Sequence, residues 1–518
     1  MRTKNSLKNM FHGTLGQFIS IGMGFLVRTA FIYTLGIEYL GIDGLFTSIL
    51  MMLSLANLGF DTAMIYSLYK PLAENDYYKV QALMNLYRKA YQLIGLIVLV
   101  IGLLILPFLS YFMNGEEKID NITVIYLLFL LNSVTSYYFT YKQSIIIADQ
   151  RNHIISKIHT SFMVISNITQ IILLLITKNY IMVLLSQVII RIIENIYIAN
   201  RVNKLYPYMR ERSNAVLSLD ERKSFFKNLY ALFLYRISGV VINGTDNVVI
   251  SKFSSLTLVG VYANYLLIIN TVNTFISYLF YSITASIGNL HVTESKEKKY
   301  SIFCVLHFVN FWIYGLCSIF LWNLINPFLT VWLGESYVFD KYIVFVLVLN
   351  FYTSGMQNAA TTFRETTGLF IKGKYNPIIA SIINIVVSIV LAKQIGVAGV
   401  LLGTIISRLC TYFWYDPYII FKSIFNKPVK IYFLKYALYM VLVFISAILT
   451  DLLGSALKAD IWINMLIRIG LCLIIPNMIF WIVFRRAEET DYVFNTLKNA
   501  LNESVLKLLV KKYFSNRG

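Results

Sequence analysis

A single arginine lies inside the first long apolar stretch of the chain, residues 13–35. An apolar stretch of this length can cross a bilayer core as a helix. A charged side chain at that depth is costly unless it faces a protein interior or a water-filled cavity. Gln17, Gly24 and Arg28 follow at intervals of seven and four, so they share one helical face. The pattern predicts a polar face directed at a cavity or a partner; an Arg28 that reaches the outer headgroups is the alternative.

Similar polar faces recur in later apolar stretches, where basic residues lie among amides and hydroxyls. We predict that the following residues line a hydrated central cavity and bind substrate: Arg28, Lys142, Arg191, Arg236, Asn243, Gln357, Arg364 and Arg408. Their mainly positive charge favours an anion, and a planar guanidinium matches two phosphate oxygens. Structural pairing is the alternative for Arg191, because Glu194 follows three residues later on the same face. Hydrogen bonding between helices explains the amides and hydroxyls about equally well.

Two acidic residues in apolar stretches, Asp61 and Asp246, have no adjacent basic partner in their own stretch. Each therefore needs a cation, a proton or an arginine from another helix. Net transport would be driven by an ion gradient, by the membrane potential or by consumption of the transported product. We predict Asp61 and Asp246 as the ion-coupling residues, because the surroundings of a carboxyl group decide its protonation.

The composition is that of a polytopic membrane protein. Of the 518 residues, 58% are hydrophobic and only 14% are charged, and the mean hydropathy is +0.66. These values lie outside the range of soluble domains. The apolar stretches predict an all-α protein with about fourteen transmembrane helices. They are residues 13–35, 41–69, 86–112, 122–147, 158–176, 180–200, 229–250, 257–286, 302–326, 341–367, 375–392, 397–420, 431–450 and 461–484.

The basic residues decide the predicted orientation. If the N-terminus lies inside, most Lys and Arg fall in inner segments, which is the positive-inside asymmetry. The net charge of +19 then needs no nucleic acid to explain it. We expect both termini in the cytoplasm and anionic lipid headgroups around the long inner connection 201–228. The amphipathic tail 485–518 should lie along the inner membrane surface.

Two internal similarities divide the chain into related halves. Residues 28–41 align with 247–260 at an offset of 219, and residues 132–136 align with 350–354 at an offset of 218. Parallel repeats of this kind are common in transporters. The predicted organisation follows from this division: an N-terminal six-helix bundle (1–200), a cytoplasmic connecting segment (201–228), a C-terminal six-helix bundle (229–420), an additional helix pair (421–484) and a cytoplasmic tail (485–518).

Motifs for nucleotide hydrolysis and metal binding are missing from the sequence. It contains no G-x-x-x-x-G-K-[ST] loop and no H-E-x-x-H motif, and its four cysteines lie in apolar stretches without a C-x-x-C pair. We therefore expect no catalytic residue, no cofactor and no metal. The enzyme alternative is a polytopic glycosyltransferase or polysaccharide polymerase, which would use outer carboxylates on a sizeable loop. The predicted outer loops are short, and their acids are explained as solvated turn residues.

A basic N-terminus precedes Gly13, Gln17 and Arg28; residues 35–41 and the repeat at 243–262 carry further motifs. In these features and in its helix count the chain resembles the polysaccharide (Wzx-type) flippases of the multidrug/oligosaccharidyl-lipid/polysaccharide (MOP) exporter superfamily. The resemblance implies alternating-access movement of an undecaprenyl-diphosphate-linked oligosaccharide from the inner to the outer leaflet of a bacterial cytoplasmic membrane. It also implies a polysaccharide polymerase and glycosyltransferases as further partners.

Two other branches of the superfamily stay open as alternatives, a lipid II flippase and a cation-coupled drug exporter. The last two predicted helices resemble the extra pair of the lipid II branch. The additional basic residues associated with that branch in the first two helices are not evident beyond Arg28.

Overall fold

The computed structural model shows an all-helical protein. It describes residues 2–54, 60–113, 119–209, 215–367, 369, 373, 375–456, 460–496 and 498. Side chains are described in these ranges except for 2–7, 10, 62, 224, 227–238, 243, 279 and 281–293. No β-strand occurs in the described residues, which confirms the predicted all-α fold class. Most of the predicted amphipathic tail, residues 499–518, lies outside the described residues.

The described chain forms a series of α-helices. In order they are α1 (Arg2–Leu35), α2 (Ile37–Leu53), α3 (Phe60–Ala73), α4 (Tyr77–Ile105), α5 (Leu109–Phe112), α6 (Ile122–Thr140), α7 (Gln143–Ala148), α8 (Asn152–Thr177), α9 (Tyr180–Leu205), α10 (Leu219–Phe253), α11 (Leu256–Thr293), α12 (Lys296–Leu333), α13 (Lys341–Met356), α14 (Asn358–Thr366), α15 (Asn376–Cys410), α16 (Tyr412–Ile420), α17 (Lys430–Ala456) and α18 (Ile461–Phe484).

Short polar side chains begin several of these helices. At the start of α10 the Ser218 hydroxyl accepts from the Glu221 backbone N–H, and the Glu221 carboxylate accepts from the Ser218 backbone N–H. At the start of α13 the Asp340 carboxylate accepts from the Ile343 backbone N–H at 2.9 Å. Each cap satisfies a backbone donor that the helix leaves unpaired. These starting points are therefore encoded locally in the sequence.

Eleven helices of the described residues are long and apolar enough to cross a membrane. One of them, Asn376–Phe425, contains two predicted spans, 375–392 and 397–420. Two more predicted spans, 41–69 and 229–250, coincide with α2 and α3 and with α10, where part of the backbone or side chains lies outside the described residues. The predicted fourteen spans are thus consistent with the structure.

Two of the predicted spans are interrupted, and a further break separates two neighbouring spans. Gly396 lies at φ 56°, a left-handed conformation that favours glycine, and it divides α15 at the predicted boundary between two spans. The spans predicted at 122–147 and 341–367 each break near the C-terminal end, at Tyr141 and Lys142 and at Gln357. The sequence did not reveal these two breaks, because neither contains glycine or proline. Two of the predicted cavity residues, Lys142 and Gln357, therefore lie at helix breaks.

The starts of α2 and α11 contact each other reciprocally. A Cβ atom on Gly41 would lie 2.0 Å from the Leu256 carbonyl oxygen, and a Cβ atom on Gly260 would lie 2.4 Å from the Ile37 carbonyl oxygen. Gly41 and Gly260 are related by the offset of 219 found in the sequence repeat, and so are Ile37 and Leu256. The absence of side chains on the two glycines lets the backbones approach this closely. The repeat is thus visible as a two-fold-like contact between equivalent helix starts.

The chain forms two compact units. The first comprises Met1–Ile268 and Lys374–Thr404, and the second comprises Ile269–Gly373 and Ile405–Gly518. In the first unit the buried Phe46 ring meets Tyr126 edge to face at 5.1 Å. In the second unit Phe311 stacks on Tyr439 at 4.1 Å. The predicted domain organisation stays a prediction. It comprises two bundles (1–200 and 229–420), the connecting segment, the additional helix pair 421–484 and the tail 485–518.

Candidate substrate-binding site

Arg28 projects from α1 toward an acidic residue that the sequence analysis did not select. Asp43 on α2 and Tyr180 on α9 are its electrostatic neighbours. The Tyr180 hydroxyl donates to Asp43 Oδ1 at 3.0 Å. Arg28 Nη1 is buried and has no hydrogen-bond partner among the described residues. The arrangement leaves a guanidinium nitrogen that can still donate to a ligand.

Tyr180 is fixed by aromatic neighbours on three helices. Its ring meets Phe31 edge to face at 5.2 Å and Tyr39 at 5.6 Å. Phe129 on α6 lies 6.4 Å away. Such edge-to-face contacts restrict a ring beyond what its burial alone does. Tyr180 therefore holds the Asp43 carboxylate in place, and Asp43 in turn sets the electrostatic surroundings of Arg28. The sequence signal for Asp43 was an acidic residue inside a predicted span.

Asp61 accepts hydrogen bonds from tyrosine hydroxyls. Tyr87 and Tyr91, one turn apart on α4, both donate to Asp61 Oδ1, the latter at 2.5 Å. Ser144 on α7 donates to the Tyr87 hydroxyl at 3.3 Å. The sequence analysis expected a cation, a proton or an arginine as the partner of Asp61. Two neutral donors take that place in the described structure.

A polar cavity lies between α6, α8 and α9 of the first unit. Its volume is about 240 Å³, and it is lined by Asn132, His159, Phe162, Met163, Ser166, Asn167, Gln170, Gln187, Ile190, Arg191 and Glu194. Arg191 Nη1 donates to Glu194 Oε2 at 3.2 Å, the pair that the spacing suggested. His159 Nδ1 lies 2.9 Å from the other carboxylate oxygen of Glu194. Because a carboxylate only accepts, the proton belongs on His159 Nδ1.

Lys142 lies at the break between α6 and α7. Its Nζ donates to Asn203 Oδ1 at 3.3 Å, and Arg88 is a repelling electrostatic neighbour. Asn203 is near the C-terminal end of α9, and Arg88 is in the first half of α4. Lys142 is thus grouped with helix ends and another cation, and not with the cavity that contains Arg191.

Arg364 forms a buried ion pair in the second unit. Its Nη1 donates to both carboxylate oxygens of Asp416 on α16, at 2.9 and 3.0 Å. The side chains are only 4% and 2% exposed. Glu365 lies farther from the guanidinium, at 3.8 Å. The second partner that the sequence analysis expected for Arg364 is therefore Asp416. Its predicted contact with substrate stays a prediction.

Arg408 contacts the middle of α13. Its Nη1 donates to Asn350 Oδ1 and Thr353 Oγ1, both at 3.0 Å. These two acceptors belong to the repeated segment 350–354. Gln357 follows at the end of α13, and its Nε2 is buried without a hydrogen-bond partner among the described residues.

Asp246 is buried on α10 with Tyr262 as an electrostatic neighbour. The side chains of Arg236 and Asn243 lie outside the described residues, although both positions belong to α10. In the described part of the chain no three His, Cys, Asp or Glu side chains are grouped as a metal site would require. The predicted cavity residues thus fall into separate groups, each with its own protein partners.

Arg468 on α18 has several partners as well. Its Nη1 donates to Asp451 Oδ1 on α17 at 3.1 Å, and its Nε donates to Asn464 Oδ1 at 2.7 Å. Lys341 Nζ lies 3.3 Å from the other oxygen of Asp451. This network joins the two helices of the additional C-terminal pair.

The fold matches that of solved transporters of the MOP superfamily, and the protein is a multi-pass membrane protein. The lipid II flippase MurJ in an inward closed conformation matches with a TM-score of 0.66 and 15% identity, over 91% of this chain and 98% of the MurJ chain. An inward-facing MATE family multidrug resistance transporter of the MOP superfamily matches with a TM-score of 0.57 and 12% identity, over 76% of this chain and 93% of that chain.

The MATE multidrug transporter DinF-BH matches with a TM-score of 0.54 and 15% identity, over 82% of this chain and 96% of that chain. No family model and no curated protein matches the chain. At these identities the structural likeness shows the fold alone. The similar structures are transporters.

Proposed function

We propose that the protein flips a polyprenyl-diphosphate-linked oligosaccharide from the inner to the outer leaflet of a bacterial cytoplasmic membrane by alternating access, as a Wzx-type flippase. The main observation behind the proposal is the unsatisfied hydrogen-bond donor of Arg28. This guanidinium lies on a predicted membrane span, and its buried Nη1 has no hydrogen-bond partner in the described residues. A buried donor without a partner is costly, and a phosphate oxygen would satisfy it.

The extent of the match to MurJ supports a lipid-linked substrate. That match covers 91% of this chain, whereas the two MATE matches cover 76% and 82%. The part of the chain that MurJ leaves uncovered is shorter than the segment 431–484. The fold likeness therefore extends into the C-terminal helix pair formed by α17 and α18. A lipid II flippase is the nearest alternative substrate assignment, and a drug exporter is the second.

The acidic side chains of the described residues help to distinguish the proposed function from that of a drug exporter. A carrier of cations would be expected to expose acidic side chains without basic partners. Here Asp416, Glu194 and Asp451 are each paired with an arginine in the described structure, whereas Asp61 accepts from two tyrosine hydroxyl groups. We further propose that both termini are cytoplasmic, that anionic lipids contact the segment 201–228, and that a polymerase and glycosyltransferases act on the same substrate.

Reconstituted vesicles test the function directly. Purified protein would be placed in liposomes with a fluorescent polyprenyl-diphosphate oligosaccharide, with lipid II, or with a cationic dye, and movement between leaflets or across the bilayer would be measured. We expect movement of the lipid-linked oligosaccharide, reduced at least ~10-fold by Arg28→Ala because a charge-assisted hydrogen bond is lost. Arg151→Ala is the matched control, because Arg151 is an exposed residue whose pairing with Asp149 contributes little.

Two results would overturn the proposal. Transport of the cationic dye without movement of either lipid-linked substrate would assign the protein to the drug exporters. Movement of lipid II alone would assign it to the lipid II branch.

A further inference from the structure

The cavity between α6, α8 and α9 is polar but nearly neutral. Arg191 and Glu194 pair at 3.2 Å, so their charges cancel, and His159 lies against the same carboxylate. The remaining polar lining consists of amides and one hydroxyl: Asn132, Asn167, Gln170, Gln187 and Ser166. A diphosphate or a drug cation would find no excess of opposite charge here. An uncharged ligand with many hydroxyl groups matches this lining better.

Hydrogen bonds within the protein hold the amide side chains of this cavity in fixed orientations. Gln187 Nε2 donates to Gln170 Oε1 at 2.9 Å, and Gln170 Nε2 donates to Ser166 Oγ at 3.1 Å. Gln170 is only 8% exposed, so these bonds fix a buried side chain. Asn132 Oδ1 is buried and has no hydrogen-bond partner in the described structure. Asn132 therefore supplies an unsatisfied hydrogen-bond acceptor, to which a ligand hydroxyl can donate.

The size and the aromatic wall of the cavity restrict the ligand further. A volume of 240 Å³ corresponds to roughly eight water molecules at the ~30 Å³ that each occupies in the liquid. That space suits a single sugar ring. Phe162 lies in the wall beside these amides. The apolar face of a sugar ring can cover such a ring while its hydroxyls bond to the amides.

We propose that this cavity binds one uncharged sugar residue of the transported oligosaccharide. The inference rests on the proposed function for the identity of the substrate, and it places the sugar in a site separate from Arg28. Arg191, Glu194 and the amides would hydrogen-bond the hydroxyl groups, and Phe162 would contact the ring face. The cavity would thus contribute to which oligosaccharides are carried.

Binding of free monosaccharides to the full-length protein in phosphatidylcholine nanodiscs tests the inference without transport. The probes are glucose, galactose, mannose, N-acetylglucosamine and N-acetylgalactosamine, detected by saturation-transfer difference NMR. We expect at least one to bind the wild type, and Asn132→Leu to weaken its affinity ~10-fold to 100-fold by removing the buried acceptor. Phe162→Leu, a milder change for folding, should also weaken it. Asn477→Leu is the control for loss of an amide away from the cavity: it removes the acceptor of the Trp312 Nε1–H bond at 2.8 Å, in the other compact unit, and should leave sugar binding unchanged.

The outcomes separate the two proposals. Wild-type protein that moves the lipid-linked oligosaccharide but binds none of these sugars refutes the sugar site alone and leaves a cavity that holds only water. Sugar binding that persists unchanged in both Asn132→Leu and Phe162→Leu also refutes it, since the sugars then bind elsewhere. Sugar binding lost in these variants, in a protein that moves no lipid-linked oligosaccharide, would support the site and overturn the proposed function.

Discussion

Replacing Gly41 by alanine should force α2 and α11 apart. The new Cβ would lie 2.0 Å from the Leu256 carbonyl oxygen, whereas ordinary contact begins at 3.4 Å. The obstructing atom belongs to the backbone, so no side-chain rotation can relieve the overlap. Overpacking of this kind costs about 1–3 kcal/mol. Gly41→Ala should therefore lower the free energy of unfolding by that amount in the state where the two helix starts touch.

The reciprocal contact makes a second prediction about the same site. Gly260→Ala would place its Cβ 2.4 Å from the Ile37 carbonyl oxygen, across the same pair of helices. One separation of the helices relieves both overlaps, so the double variant should cost less than the sum of the single variants. If α2 and α11 separate during transport, the protein exchanges between a state with the helix starts in contact and a state with them apart. A cost of about 1–3 kcal/mol in the contact state would shift this equilibrium ~5-fold to 150-fold toward the separated state.

Unfolding in mixed detergent micelles, followed by tryptophan fluorescence, measures the free energies. Gly22→Ala is the matched control, because Gly22 lies on α1 with nothing within 4 Å of a built Cβ. It should be neutral or slightly stabilising, since alanine is the better helix former. Equal stability and equal transport for Gly41→Ala and Gly22→Ala would show that the α2 and α11 contact is not formed in the membrane protein. Strictly additive costs would show that the two glycines act independently.

Three further predictions follow from the charged groups. Arg28→Lys should retain more transport than Arg28→Ala but less than the wild type, because lysine keeps the charge but loses the fork; full wild-type transport in Arg28→Lys would remove the role of bidentate phosphate contact. Arg364→Ala should destabilise the protein by about 3–5 kcal/mol, measured by unfolding, because it leaves Asp416 buried without its partner; Arg364→Met with Asp416→Leu should cost less. In vesicles, Asp61→Asn and Asp246→Asn should each change the dependence of transport on an imposed pH or Na⁺ gradient. An unaltered dependence in both would leave these acids with structural roles.

The helices themselves could be predicted because the length of an apolar stretch decides whether it spans a membrane. The Arg191 and Glu194 pair could also be predicted, since residues three apart share a helical face. The partner of Arg364 could not, because Asp416 lies 52 residues away and only tertiary structure brings the two together. The break at Gln357 does not fall on a glycine or a proline, although Gly355 lies two residues before it.

Asp43 shows a different limit of the sequence. Its importance depends on Arg28 and Tyr180, which belong to two other helices. An acidic residue two positions inside a predicted span is also typical of a helix end, so the sequence analysis did not select Asp43. The sequence also did not show that the neutral cavity around Gln170 and the unsatisfied donor of Arg28 are separate features, because only the tertiary structure shows which side chains lie together.

Paired charges also determine how the protein responds to voltage. Three arginines of the described spans are each matched by one carboxylate: Arg191 with Glu194, Arg364 with Asp416 and Arg468 with Asp451. One elementary charge moved through 100 mV exchanges ~2.3 kcal/mol with the field. A pair that moves as a unit carries no net charge, so these pairs contribute almost no gating charge to a conformational change. The membrane potential would therefore act on the bound anion and on charges outside these three pairs, such as Arg28, and an inside-negative membrane would favour the outward step of the anion.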